Sequence, residues 1–214
     1  MPAATLRLFR DQLAPGRSCA LRPANRVLYA LSGEVAVIHA GATLALSADS
    51  AWHGTGACVM RTGEAEATVL RWELVAAGSA PDGEELVLEH AMDLAPAAAW
   101  LMRCDRVDFD PGGVALPHRH CGGGIRCLVA GALEVTVGAA TPRLVRPGGA
   151  WFESGREPVL ARASASEPTS FIRVAILPAE IRGQSSILYV DPDDAARGRP
   201  RRYTVWVDAP IALA

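Results

Sequence analysis

The chain carries its own fold twice. Setting Gly33 on Gly131 aligns NRVLYALSGEVAV (25–37) with GIRCLVAGALEVTV (124–137). Downstream, LSADSAWHGTG (46–56) matches VRPGGAWFESG (145–155), with Trp52 opposite Trp151; the Gly-to-Trp spacing is 19 residues in the first copy and 20 in the second. LRWELV (70–75) then parallels FIRVAIL (171–177), which sets Arg71 against Arg173, and upstream APGRSCALRP parallels DPGGVALPH. Four features in one order at nearly constant spacing define a tandem repeat, in which each copy is one structural unit. The polar stretch AAGSAPDGEE (76–85) is the natural linker.

The period of the apolar residues says what each copy builds. Short alternating or β-branched runs such as RVLYAL, EVAVIHA, ATVLRWELV, ALEVTV and RYTVWVD recur between Gly and Pro residues. That pattern predicts an all-β sandwich or barrel. Helix is confined to one capped turn near DPDDAARG. A chain of 214 residues, 50% hydrophobic and 21% charged, is long enough to bury a core in each copy. The formal net charge of -2 gives no electrostatic case for nucleic acid or an anionic membrane as partner. All 21 basic residues are Arg, which fits a GC-rich bacterial genome and excludes Schiff-base chemistry on lysine. The N-terminus lacks a signal-peptide pattern, no apolar run reaches membrane-spanning length, and the five cysteines lack C-x-x-C spacing. A cytoplasmic protein with free thiols is the expectation.

The second copy resembles a cupin. Gly112, His118, His120 and Gly131 stand where the first cupin motif, G-x5-H-x-H-x3-4-E-x6-G, has its glycines and histidines, and GGAWFESGREPVL matches the second motif loosely. Because the halves resemble each other, the whole chain resembles a bicupin. The resemblance implies two tandem jelly-roll (double-stranded β-helix) barrels: residues 1–80 without metal ligands, 86–180 with the H-x-H pair, and a β-rich arm over 181–214 that packs on the barrels or on a partner subunit. It also implies a homodimer and a small-molecule ligand.

Residues i and i+2 of a strand share a face, so His118 and His120 present two imidazoles side by side, toward the barrel interior in the cupin frame. Such a pair suits a divalent transition metal, Fe, Mn, Ni, Cu or Zn. The frame is thinned, however. Gly124 stands at the family's glutamate position, and Leu160 at that of its third histidine. Glu153 is the candidate replacement ligand, and Cys121 could reach through the glycines. Arg126 alternates onto the face of Gly124. It either receives a substrate carboxylate or pairs with a protein carboxylate such as Glu153. Trp151 and Arg173 are further substrate-binding candidates, against a core role for the first and a structural role for the second, whose repeat partner Arg71 lies where no histidine pair exists. Three readings stay open. One is a metal-dependent oxygenase, isomerase or lyase acting on a small anion; the second is a non-catalytic bicupin holding a carboxylated or sugar-like ligand without metal; the third is a structural paralogue with no ligand. No catalytic residue can be assigned.

Overall fold

The computed structural model describes residues 4–83, 85–95, 98–197 and 201–213. The chain divides into two compact units, Met1–Ala98 with Ile211–Ala214, and Ala99–Pro210.

The first unit holds β1 (Ala4–Leu13), β2 (Ser18–Leu21), β3 (Asn25–Ser32), β4 (Glu34–His39), β5 (Ala42–Ser47), β6 (Ser50–Gly54), β7 (Cys58–Thr62), β8 (Ala67–Ala76) and β9 (Leu86–Met92). The second holds β10 (Trp100–Phe109), β11 (Val114–His120), β12 (Gly124–Ala130), β13 (Leu133–Val137), β14 (Arg143–Val145), β15 (Ala150–Glu153), β16 (Val159–Ala163), β17 (Thr169–Pro178), β18 (Ile187–Tyr189) and β19 (Arg201–Ile211). Sheet order β6-β3-β8-β1-β9 in the first unit is answered by β15-β12-β17-β10-β19 in the second, and β2-β7-β4-β5 by β11-β16-β13-β14 with β18 added beyond β11. The repeat seen in the sequence is thus a repeat of strand order. In each unit the two antiparallel sheets form a jelly-roll barrel.

Alternation fills each barrel from both sheets. In the first, Leu28, Ala30 and Val69 meet Val35, Val37, Leu46 and Met60. In the second, Val107, Phe109 and Leu128 meet Ala115, Leu133, Val135, Val159 and Ala161. Each unit thereby buries its own core, at about 1.5–3 kcal/mol for each fully buried large apolar side chain. The aligned glycines explain themselves. Gly33 and Gly131 adopt φ +72 and +71, and a Cβ on either would lie 2.3 or 2.4 Å from the carbonyl oxygen of Glu66 or Pro168. Only glycine fits both the left-handed turn and the close approach.

The ends of the units differ from the sequence expectation. Strand β9 pairs with β1, so residues 86–92 complete the first unit, whereas the sequence reading began the second barrel at 86. Its half-exposed pattern is that of an edge strand, which carries no strong apolar period. The arm is built into the second barrel: β18 pairs with β11 and β19 lies beside β10. The turn expected near DPDDAARG is a 3-10 turn, Pro192–Ala196, capped by the Asp191 side chain accepting from Asp193 N.

Candidate functional site

Strand β11 alternates His118 and His120 inward, 5% and 8% exposed, while Arg119 between them points out and donates to Arg156 O. The imidazoles meet edge to face, centroids 4.9 Å apart. On the neighbouring sheet Arg126 of β12 projects into the same interior and is 1% exposed. The glycine before it has a steric cause. A Cβ on Gly124 would lie 2.3 Å from Val174 O and 2.7 Å from Ala175 Cα. No side chain can stand there, and the carboxylate comes from across the ladder: Glu153 of β15 is the register partner of Gly124.

Glu153 is the hub of the site. Its Oε1 accepts from Trp151 Nε1 at 2.8 Å. Its Oε2 faces Arg126 Nη2 at 2.7 Å and His120 Nε2 at 3.3 Å, yet neither this oxygen nor Arg126 Nη2 has an aligned hydrogen-bond partner. Arg126 also donates through Nη1 to Gly124 O at 2.6 Å. Burial would push the Glu153 carboxyl up, but Arg126, His120 and Trp151 outweigh it and hold it well below the usual carboxylate range. Burial pulls the Arg126 guanidinium down to about 10, and Glu153 opposes that shift; it stays charged at neutral pH. Burial likewise lowers both histidines, His120 to about 3.

Arg173 of β17 completes the wall. It pairs with Asp105 of β10 through Nε at 3.0 Å and through Nη2, and its Nη1 faces His120 Nδ1 at 3.2 Å. A guanidinium can only donate, so His120 Nδ1 accepts and its proton sits on Nε2, toward Glu153. His118 is the opposite tautomer: its Nδ1 donates to Leu116 O at 2.7 Å, which leaves Nε2 as a lone pair. The remaining wall is apolar, including Phe109, Leu133, Val159, Ala161 and Phe171, with Arg201 and Tyr203 of β19 at its edge. The cavity they line is about 20 Å³, room for about one water.

As arranged, these residues do not fit a divalent cation. One imidazole lone pair, that of His118, is free; the other is taken by Arg173. The single carboxylate is already matched by Arg126, and two guanidiniums stand where a cation would bind. Protein metal sites use three or four ligands. Among the described residues no group of three or more His, Cys, Asp and Glu is placed to hold a metal. Leu160, expected at the third histidine's place, does not line the cavity; its neighbours Val159 and Ala161 do, so that position is apolar in any frame. Cys121 donates its backbone N–H to Ser186 O, and Cys127 is a buried, packed thiol.

The structure therefore joins His118, His120, Arg126, Trp151, Glu153 and Arg173 around one cavity, in roles that differ from the first expectation. Trp151 is a core residue, edge-on to Phe171 at 5.3 Å, and holds Glu153. Arg126 takes the protein carboxylate. Arg173 behaves like its repeat partner Arg71, which is ion-paired to Asp11 and Glu73. Sequence reasoning missed Asp105, Arg201 and Tyr203. The one signal for the last two is the basic run RPRR preceding an apolar strand. The first barrel differs at this point: Arg26, at the place of Gly124 in the repeat, is buried on Glu73 at 2.6 Å.

Comparison of the fold with solved structures decides its class. The chain superposes on a cupin 2 conserved barrel domain protein from Leptotrichia buccalis with a TM-score of 0.52 at 15% identity, covering 82% of this chain and 85% of that one. On oxalate decarboxylase from Lactobacillus farciminis, solved as a formate complex, the TM-score is 0.62 at 12% identity over 92% and 82% of the two chains. The chain has the cupin fold. Salicylate 1,2-dioxygenase from Pseudaminobacter salicylatoxidans gives 0.59 at 10% identity, over 94% of this chain and 75% of that one. No family model matches this chain, and no curated protein sequence does. Among the described residues no helix is long and apolar enough to cross a membrane.

Proposed function

We propose that this chain is a small-molecule-binding bicupin whose second unit takes a small carboxylate without a resident metal. The observation that carries this reading is the charge of the cavity wall. Three guanidiniums, Arg126, Arg173 and Arg201, face one carboxylate, Glu153, and two neutral imidazoles; even with Asp105 counted, the wall is net positive. In a low-dielectric interior that balance favours an anion and opposes a cation. The names of two structural neighbours, oxalate decarboxylase and salicylate dioxygenase, refer to carboxylates, which agrees with this choice. The metal-dependent alternative, a divalent ion on His118, His120 and Glu153, has in its favour the 3.3 Å separation of His120 Nε2 and Glu153 Oε2. It requires Arg173 to leave His120 and Arg126 to leave Glu153.

Isothermal titration with acetate and benzoate, each against its neutral amide, tests the reading. At least one carboxylate should bind and its amide should bind at least tenfold more weakly, as expected when a charge-assisted hydrogen bond is lost. Equal binding of acid and amide, or no binding of either acid, contradicts it. We further propose that the chain forms a homodimer, as the bicupin resemblance implies; a monomer in light scattering at micromolar concentration overturns this.

A further inference from the structure

The described residues contain seven buried arginines, each at most 6% exposed: Arg7, Arg26, Arg71, Arg103, Arg126, Arg173 and Arg201. Six of them have a carboxylate oxygen within 3.0 Å: Glu89, Glu73, Asp11, Asp208, Glu153 and Asp105, in that order. Arg201 does not. Its Nε donates to Tyr203 Oη at 2.5 Å and its Nη2 to Tyr189 Oη at 3.2 Å, and its charge lies 5.8 Å from the Tyr203 ring centroid. These are neutral partners. Burying a guanidinium without a counter-charge costs several kcal/mol, and a chain that pairs its other buried arginines leaves this one open.

Arg201 also lines a second cavity. Outside the barrel interior, a space of about 240 Å³ opens between β10, β17, the 183–186 turn and β19, walled by Arg103, Asp105, Arg173, Ser185, Ser186 and Arg201 among others. It shares the Arg173, Arg201 and Tyr203 side chains with the inner cavity of about 20 Å³; we call the larger space the vestibule. The charge balance of the vestibule is simple. Arg103 is neutralised by Asp208 at 2.9 Å and Arg173 by Asp105, which leaves one positive charge, that of Arg201. Val205, 54% exposed, contributes an apolar side.

We infer that this vestibule is the seat of the ligand, a monocarboxylate held by Arg201, with the C-terminal strand β19 supplying the anchor. The inference rests on the carboxylate reading above and adds three things to it: the place, the anchoring residue and a single negative charge. The inner cavity is too small for any carboxylate; the vestibule is not. A dianion would bring a second charge that no open guanidinium meets.

The test is isothermal titration of the full chain with benzoate and oxalate, in the wild type and in two variants. Arg201→Gln removes the charge, and Val205→Trp fills the vestibule from an exposed position while leaving Arg201 in place. Both are checked for unchanged circular dichroism. Benzoate should bind the wild type more tightly than oxalate does, and both variants should weaken benzoate by roughly tenfold to a hundredfold. If benzoate binds the wild type and both folded variants alike, or if oxalate is preferred, the inference is overturned while the carboxylate reading stands. If neither benzoate nor acetate binds the wild type, both fall together. Should Arg201→Gln fail to fold, Val205→Trp decides alone.

Discussion

At the scale of the residue, the second barrel is organised around Glu153. Removing it leaves Arg126, 1% exposed, without its counter-charge. Glu153→Ala should therefore lower unfolding free energy by about 3–5 kcal/mol, the cost of an unmatched buried ion, measurable by urea titration; a loss under 1 kcal/mol contradicts the ion pair. The histidines set a pH dependence of definite sign. Burial lowers His120 from 6.5 to about 3 and also lowers His118, so below pH 6.5 the unfolded chain binds protons that the folded chain refuses. The histidines' contribution should be level above that pH and fall as pH drops below it, by about 1.4 kcal/mol per pH unit for each group. Glu153, held below 4.5, adds a loss in the same direction that begins only near 4.5. Melting temperatures in wild type and His120→Asn separate the two: the decline between pH 6.5 and 4.5 should be shallower in the variant, and an unchanged slope contradicts the assignment. Part of this was legible in sequence. Alternation put His118, His120 and Arg126 on inward faces because a strand's period is strict. That Arg126 would take Glu153 remained open, since ladder register is not written in either strand alone.

At the scale of the element, the hairpins and the glycines that permit them were readable, because Gly33 and Gly131 answer to the same steric demand in both copies. In sequence Gly124 reads as a missing ligand. In the fold it is a close approach: a Cβ there would lie 2.3 Å from Val174 O of β17, and the carboxylate is carried by its ladder partner Glu153 on β15. Gly124→Ala should cost about 1–3 kcal/mol or more from overpacking, and a thermal melt unshifted from wild type would count against that close approach. Leu160 lies out of phase with the cavity wall, which Val159 and Ala161 line, because the second motif matches only loosely and its spacing gives no dependable phase along β16. The edge strands were least legible. Strand β9 has few apolar residues to mark which barrel it joins, and the partners of β18 and β19 lie more than 60 residues earlier in the chain.

At the scale of the whole molecule, the two copies share a strand order and diverge in what they enclose. The first barrel closes over an apolar core, with Arg26, Arg71, Glu73 and Asp11 as an internally matched ion cluster. The second keeps a polar interior with excess positive charge and recruits β19, whose buried Arg201 has no carboxylate partner. Divergence after duplication thus shows as a difference in charge matching on a common fold. The central claim is that the second unit holds an anion site that needs no metal. It is tested most directly by titrating benzoate into untagged protein before and after EDTA treatment, with the metal content of both samples measured. Binding of equal strength in both, with transition metal far below one per chain, is the predicted result. Binding that disappears with EDTA and returns on adding Fe, Mn, Ni, Cu or Zn would contradict it.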